Sequence, residues 1–301
     1  MKEKKWKFLS PIHIGMIWIV LIGFIILFLH PTYGVSDNGI YDGILKSNGL
    51  TFLDKGNAYY TNFVPQYKIL QYYNPNQYYS FSLQNFFIQI AILLNRIFFS
   101  KTIFDIRFLA IIYFILYLFG VYILLRALTK NVTRRQAYIL ALLTIFLIGD
   151  TNYMVYFNSF YPQALIYILL IYFVGLSVIA YQQTTLRKLS VIFTAQLAVT
   201  IAFSLVGPGT DVFSIAAFIS LWYILLYVKR SIVKRSVLIA IVGTIPIIVL
   251  GVCLVGNPYQ NKDMYNSVSL GVLMENKEPA KSLQKLGVPP EYEMIRGTHY
   301  D

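Results

Sequence analysis

The chain has few charged residues and almost none of the residues that carry metal, redox or nucleotide chemistry. Only 13% of its 301 residues are charged, and it contains one cysteine and three histidines. Cys253 stands in an apolar run and has no partner for an intrachain disulfide. The histidines lack the spacing of metal ligands, and no hydrolase triad, Walker loop or dinucleotide fingerprint occurs. These absences argue against a zinc protein, a thiol oxidoreductase and a nucleotide-binding enzyme.

Hydrophobic residues dominate what is present, at 57% of the chain with a mean hydropathy of +0.60. They are gathered into blocks that approach the roughly 20 residues needed to cross a bilayer as a helix. The sequence therefore predicts an all-α integral membrane protein with about seven transmembrane helices. The predicted segments are Ile14–Leu29, Ile106–Leu125, Ala137–Ile148, Ala164–Tyr181, Val191–Val206, Val212–Val228 and Val237–Val255.

Basic residues indicate the orientation of these helices. With a cytoplasmic amino terminus, the inner segments 1–13, 126–136, 182–190 and 229–236 hold 14 Lys and Arg and only Glu3 as an acid. This is the positive-inside pattern, so the +12 net charge reflects topology and not nucleic-acid binding. A cleavable signal peptide is the rival interpretation of the first segment, but no small-x-small cleavage site follows it. We expect a multi-pass protein of the cell membrane whose first loop and carboxyl-terminal tail are extracytoplasmic.

Two regions then lie outside the membrane. We predict a transmembrane domain over residues 1–256, which includes the first loop, residues 31–102. This loop is rich in tyrosine and carries an amphipathic pattern over 82–99. Polar residues recur through that pattern, which favours a helix in the interface plane over a further span. The tail, residues 257–301, stops abruptly, which favours the start of a truncated segment.

Acidic residues at the outer face are the candidate chemical groups. Asp37 and Asp42 lie in the first outer loop, where a carboxylate is either an ordinary wet side chain or a general base. Asp150 follows the short third segment, and a water-exposed helix end explains it as well as function does. Asp105 and Arg107 form either an interfacial ion pair or a phosphate contact, because the guanidinium is permanently charged.

Short motifs along most of the chain resemble the GT-C superfamily of membrane glycosyltransferases, and more closely bacterial hexose transferases of glycan biosynthesis. The motifs that carry the resemblance are Asp37 to Asp42, Gln71-Tyr72-Tyr73-Asn74, Asp105-Ile106-Arg107-Phe108-Leu109, Tyr156-Phe157-Asn158-Ser159-Phe160-Tyr161, and Tyr265-Asn266-Ser267-Val268 with Gly271-Val272-Leu273. The resemblance implies transfer of a hexose from a polyprenyl-phosphate donor to a cell-envelope glycan acceptor at the outer face. Gln163 departs from the family, where an acid often follows the Asn-Ser-Phe stretch.

The resemblance also implies roles for individual residues. Asp37 matches the position of the catalytic base, with Asp42 second. Asp150 is a further candidate acid because of its own position after the third segment. The leaving phosphate needs cationic stabilisation and the sugar needs a surface to bind. The candidates for these contacts are Lys68, Arg96 and Arg107 for the phosphate, and Tyr41 and Asn158 for substrate binding. A divalent cation could bridge phosphate and carboxylates, and the sequence leaves its use open.

Two other functions remain open at this stage. A flippase or transporter of lipid-linked sugars is also multi-pass and aromatic-rimmed, but it should carry polar or ionisable residues near the bilayer midplane. A non-catalytic protein of envelope assembly accounts for the tail but not for the acidic loop. The expected partners are the lipid-linked donor, the glycan acceptor and membrane lipids.

Overall fold

The computed structural model describes residues 10–53, 62–71, 82–207, 210–224, 267–275 and 278–296. It consists of two compact units, Met1–Val252 and Cys253–Asp301. The described part of the second unit contains a π-helical turn, two short α-helices and a 3-10 helix. These elements are Ser267–Val272, Leu273–Glu275, Pro279–Lys285 and Pro290–Ile295.

The first unit is mainly helical, with a small sheet in its first loop. Its described elements, in chain order, are α1 (Pro11–Phe28), α2 (Tyr41–Ser47), β1 (Leu50–Thr51), β2 (Gln66–Ile69), α3 (Leu83–Phe98), β3 (Ile103–Asp105), α4 (Arg107–Thr129), α5 (Arg134–Ile148), α6 (Thr151–Met154), a 3-10 turn (Val155–Asn158), α7 (Gln163–Gln182), α8 (Leu186–Val206) and α9 (Asp211–Tyr223).

Four helices in the described ranges, α1, α4, α7 and most of α8, are long and apolar enough to cross a membrane. They match the first, second, fourth and fifth predicted segments. The third segment is α5. It meets the helical residues 151–158 at a bend of 51°, and the two together count as a fifth candidate span. The sixth segment is described only as α9, of 13 residues, and the seventh lies outside the described residues. A total of seven spans stays a prediction.

The prediction of an all-α protein is wrong for the first loop. Strands β1, β2 and β3 form an antiparallel sheet in that order, with Tyr67 opposite Phe104 and Gln66 opposite Asp105. Tyr67 and Phe104 are both buried, because alternate residues of a strand point to the same face and this face packs on the core. Each strand has only two to four residues, which is too short for an alternating pattern to stand out.

Helix α4 lies at the centre of the helical part and packs against α1, α3, α5 and α7. Glycines permit two of these close approaches: a Cβ at Gly23 of α1 would meet the Phe114 ring at 2.3 Å, and one at Gly120 would meet Tyr172 at 3.1 Å. Small residues are the usual means of close helix packing in lipid. Large apolar side chains such as Phe146, which is 78% exposed, cover the outside of the helices. Such a surface fits an apolar solvent.

The break after α5 is held by two hydroxyl groups. Ile148 ends α5, so its carbonyl lacks the partner that a continuing helix would supply. Tyr117 of α4 and Tyr167 of α7 both donate to this carbonyl oxygen, at 2.7 Å and 2.6 Å. Their rings stack with centroids 6.0 Å apart. A bent span is therefore stabilised where its backbone would otherwise be unsatisfied in lipid.

Candidate functional site

Asp37 forms a turn that leads into α2. Its Oδ1 accepts hydrogen bonds from the backbone N–H of Gly39 at 2.8 Å and of Tyr41 at 3.1 Å. Gly39 has φ +98°, a left-handed conformation that glycine adopts without strain. The Asp-Asn-Gly sequence therefore forms a side-chain-stabilised turn whose carboxylate is fixed relative to the helix that follows.

The carboxyl group of Asp37 is buried, with 4% of the residue exposed. Burial raises its pKa above the usual carboxyl value, and the negative charge of Asp42 adds to the increase. The hydrogen bonds from Tyr41, Gly39 and Ile40 act in the opposite direction without cancelling it. A raised pKa makes this carboxylate a stronger proton acceptor than an exposed one.

A second segment of the chain meets the same turn. The Tyr161 hydroxyl donates to the Ser36 carbonyl oxygen at 2.9 Å and accepts from the Asn38 N–H at 2.9 Å. The peptide that carries Asp37 is thus held on both sides by one side chain about 125 residues further along. Nothing in the local sequence of either segment predicts this contact.

An aromatic cluster connects the turn, the sheet and the segment before α7. The Tyr41 ring meets the rings of Phe160 and Tyr161 edge-on, with centroids 5.2 Å and 5.0 Å apart. Tyr67 of β2 meets Phe160 at 5.0 Å, and the amide of Gln84 on α3 donates to the Phe160 carbonyl. Tyr41 is 1% exposed and its hydroxyl donates to the Val35 carbonyl. The structure therefore places Tyr41 in the core under Asp37, with no ring face exposed to a sugar.

Asn158, the other residue predicted to bind substrate, is also buried. Its amide nitrogen donates to the carbonyl oxygens of Leu27 at 3.1 Å and Tyr33 at 2.8 Å. These bonds join the end of α1 and the start of the first loop to the segment before α7. Asn158 and Asp37 therefore belong to one assembly, in which Asn158 anchors the backbone that leads to the turn.

Asp42 and Asp150 take ordinary helix positions. Asp42 pairs with Lys46 one turn later in α2 at 2.9 Å, and both side chains are about 41% exposed. Asp150 is the N-cap of α6 and accepts from the Asn152 N–H at 2.9 Å. Within the described ranges no hydrogen bond joins Asp150 to the Asp37 turn. Of the three predicted acids, Asp37 alone is fully buried.

The three predicted cations differ in their surroundings. Lys68 is exposed on β2 and Arg96 is exposed near the end of α3. Arg107 instead binds the carboxylate of Asp105 through two nitrogens, at 2.9 Å and 2.6 Å. Asp105 is 1% exposed, so the arginine neutralises a buried charge. The ion-pair interpretation of Asp105 and Arg107 is the one that the geometry shows.

Helix α3 buries both polar and apolar residues and exposes an apolar stripe. Gln84 and Asn95 are buried and hydrogen-bonded, with Asn95 donating to the carbonyl oxygens of Ser100 and Ile103. The opposite face carries an exposed or half-exposed apolar stripe, formed by Phe86, Ile90, Leu93 and Ile97. An exposed apolar stripe of this kind suits contact with lipid.

The described residues contain no group of three or more His, Cys, Asp or Glu side chains placed to hold a metal ion. A surface cavity of about 450 Å³ at the α7–α8 connection is lined by Gln183, Arg187, Lys188, Val191 and Ile192. It contains none of the predicted site residues. The candidate site is therefore the Asp37 turn and the residues that hold it.

Comparison with known proteins gives one match. The family model of the YfdI N-terminal transmembrane domain matches residues 1–300. No curated protein and no solved structure matches the chain. The family match agrees with the apolar helices described above and covers nearly the whole sequence.

Proposed function

The chain belongs to the YfdI N-terminal transmembrane domain family and is a multi-pass membrane protein, and on this basis we propose that it transfers a hexose from a polyprenyl-phosphate donor to a glycan acceptor at the outer face of the cell membrane. Asp37 is the general base in this proposal. The observation that carries it is a buried carboxylate of raised pKa in the loop between α1 and α2, held by two separate parts of the chain.

The reaction needs a base for the acceptor hydroxyl. As the hydroxyl oxygen attacks the anomeric carbon, its proton passes to Asp37 and the bond between that carbon and the phosphate oxygen breaks. The electron pair leaves with the polyprenyl phosphate. The proton on Asp37 then returns to solvent, which regenerates the carboxylate.

The leaving phosphate is dianionic and needs positive charge nearby. Lys68 and Arg96 are exposed cations on β2 and α3. Strand β2 pairs with β1, which follows α2, and Asn85 of α3 accepts a hydrogen bond from Asn48 at the end of α2. Arg107 is partly exposed, but its pairing with Asp105 reduces the charge that it offers. We therefore assign the phosphate contact to Lys68 or Arg96 before Arg107.

The donor also needs a place for its polyprenyl chain. The outward stripe of α3 is apolar, and α3 packs directly on the spanning helix α4. A helix of this kind lies in the interface with its apolar face towards the acyl chains. The lipid of the donor would then lie beside α3, with its phosphate at the level of the first loop.

Ion- or proton-coupled transport of a lipid-linked sugar is less well supported than hexose transfer. In the described spans α1, α4, α5, α7 and α8, every Asp, Glu, Lys or Arg lies within four residues of a helix end. Ion- and proton-coupled carriers place ionisable residues near the bilayer midplane. The charge distribution therefore favours chemistry at the membrane surface over passage through the membrane.

Two substitutions separate the chemistry of Asp37 from its structural role. Asp37→Asn keeps an oxygen that can accept from Gly39 and Tyr41, whereas Asp37→Ala removes it. Membranes containing each variant receive radiolabelled polyprenyl-phosphate glucose, galactose or mannose, and label entering the glycan fraction is measured. We expect Asp37→Asn to fold normally and to lose transfer by about 10²-fold or more, because it cannot take a proton.

The control is Glu278→Gln, which removes an exposed acid of the second unit. This control should transfer hexose at the wild-type rate. Full activity of Asp37→Asn would remove Asp37 from the mechanism. Absence of transfer by the wild-type protein with all three donors would contradict the assigned reaction.

A further inference from the structure

The hydroxyl of Tyr161 occupies the gap between the two peptide groups that flank Asp37. We propose that Tyr161 is a positioning residue: by donating to Ser36 and accepting from Asn38, it fixes the carboxylate of Asp37 relative to the segment that precedes α7. The proposal rests on the function proposed above, since it concerns the orientation of that base. It gives Tyr161 a role in the reaction without contact with substrate.

The two hydrogen bonds use the full capacity of a phenol. One bond, 2.9 Å long, has the hydroxyl as donor, and the other, also 2.9 Å, has it as acceptor. Burial raises the pKa of Tyr161, and the negative charge of Asp37 acts in the same direction. The hydroxyl therefore keeps the proton that it donates to Ser36 at neutral pH.

The ring of Tyr161 is itself held in place. It meets the Tyr41 ring at 5.0 Å and the Tyr156 ring at 5.9 Å, and only 7% of the residue is exposed. Its backbone N–H donates to the Ser159 hydroxyl, which in turn donates to the Tyr156 carbonyl. A side chain held in this way can orient the turn without a further loss of its own conformational freedom.

The hydrogen bonds that the Asp37 carboxylate accepts do not fix its position relative to the segment before α7. Oδ1 accepts from Gly39 and Tyr41, and both donors lie within four residues of Asp37. Those bonds orient the carboxylate only relative to α2. Tyr161 adds a connection across about 125 residues, so the carboxylate has one orientation relative to both parts of the site.

Tyr161→Phe removes this connection and leaves the ring contacts. Tyr156→Phe is the matched control: it makes the same chemical change on the neighbouring ring, which shares the edge contact with Tyr161. Two measurements are made on each full-length variant in detergent or nanodiscs. Hydrogen exchange followed by mass spectrometry reports the order of residues 34–42, and hexose transfer from the donor active with the wild type gives kcat and KM.

We expect exchange at residues 34–42 to rise several-fold in Tyr161→Phe, because the Asn38 N–H loses its partner. The kcat for hexose transfer should fall about ten- to a hundredfold, with an unchanged KM for the donor. Small misplacement of a catalytic group has effects of this size. In the Asp37→Asn background, Tyr161→Phe should cause no further loss. Tyr156→Phe should leave both measurements at wild-type values.

Other results overturn the proposal in distinguishable ways. Unchanged exchange would show that Tyr161 does not order the turn. Raised exchange with wild-type kcat would show a purely structural bond. A fall in kcat that persists undiminished in the Asp37→Asn background would show that Tyr161 acts on something other than Asp37. If the wild type transfers no hexose, the proposed function fails, and exchange alone decides whether the Tyr161 contact orders the turn.

Discussion

At the scale of single residues, Asp37 combines two roles that oppose each other energetically. Its Oδ1 organises the turn before α2, yet burial raises the pKa of the same carboxyl group. A group that binds its proton more tightly in the folded protein lowers the free energy of unfolding as pH rises through the interval between the usual and the raised pKa. The folded protein therefore retains the charge at a cost in stability, which is typical of functional carboxylates.

Substitution of Asp42 tests whether nearby charge contributes to the raised pKa of Asp37. Its negative charge raises the pKa of Asp37, so Asp42→Asn should lower that pKa. Release of Lys46 from its pair with Asp42 acts in the same direction. Because a base is active when deprotonated, the rate of transfer falls as pH drops through the pKa of Asp37. We expect the acidic limb of the pH–rate profile to lie above the usual carboxyl range in the wild type and to move to lower pH in Asp42→Asn.

The Glu278→Gln variant is the control for this measurement, since its charge belongs to the second unit. An acidic limb that stays in place in Asp42→Asn would assign that limb to a group other than Asp37. A limb that moves to higher pH would contradict the direction of the electrostatic effect.

At the scale of elements, the described helices include a bent pair, α5 and residues 151–158, which meet at 51°. Two tyrosine hydroxyls bind the Ile148 carbonyl oxygen, so either one alone can satisfy it. The two residues come from α4 and α7, and the break therefore depends on how three helices pack. This is a means of keeping non-helical backbone at membrane depth.

Single and double substitutions should have unequal effects at this break. Tyr117→Phe and Tyr167→Phe each leave one hydroxyl on the carbonyl and should cost about 1 kcal/mol or less. The double variant leaves this half-buried carbonyl unpaired and should cost about 1–3 kcal/mol beyond the sum of the two. Unfolding in detergent measures the difference. Tyr172→Phe, which removes a hydroxyl from the Leu116 carbonyl inside α4, is the matched control.

A double variant that costs only the sum of the single variants would show that the two hydroxyls act independently. In that case the break would owe its stability to ring packing between Tyr117 and Tyr167, whose centroids are 6.0 Å apart.

Sequence patterns predicted the long helices because α1, α4 and α7 are continuous apolar runs of 18 to 23 residues. The amphipathic pattern over 82–99 likewise gave α3 to within a residue or two. The sheet escaped prediction because its strands have two to four residues and pair across long separations. The loop sequence was enough to make Asp37 a candidate, but it did not predict the contact with Tyr161, since no local pattern encodes a hydrogen bond across 123 residues.

At the scale of the whole molecule, the proposed transfer requires the first loop to face the outside of the membrane. The segments predicted to be cytoplasmic contain the clusters Arg134-Arg135 and Arg187-Lys188, whereas the Asp37 turn lies at the other end of α1 from the basic amino terminus. A positive-inside arrangement places the turn outside the cell. A lipid-linked sugar donor at that face could then reach the carboxylate.

Labelling of single cysteines in whole cells tests this placement most directly. With Cys253→Ala as the background, Asn38→Cys and Arg135→Cys each introduce one exposed thiol, in the turn and at the start of α5. We predict that a membrane-impermeant maleimide labels the Asn38→Cys protein in intact cells, and the Arg135→Cys protein only after the membrane is opened. Labelling at position 135 and not at 38 in intact cells would place Asp37 in the cytoplasm and contradict transfer at the outer face.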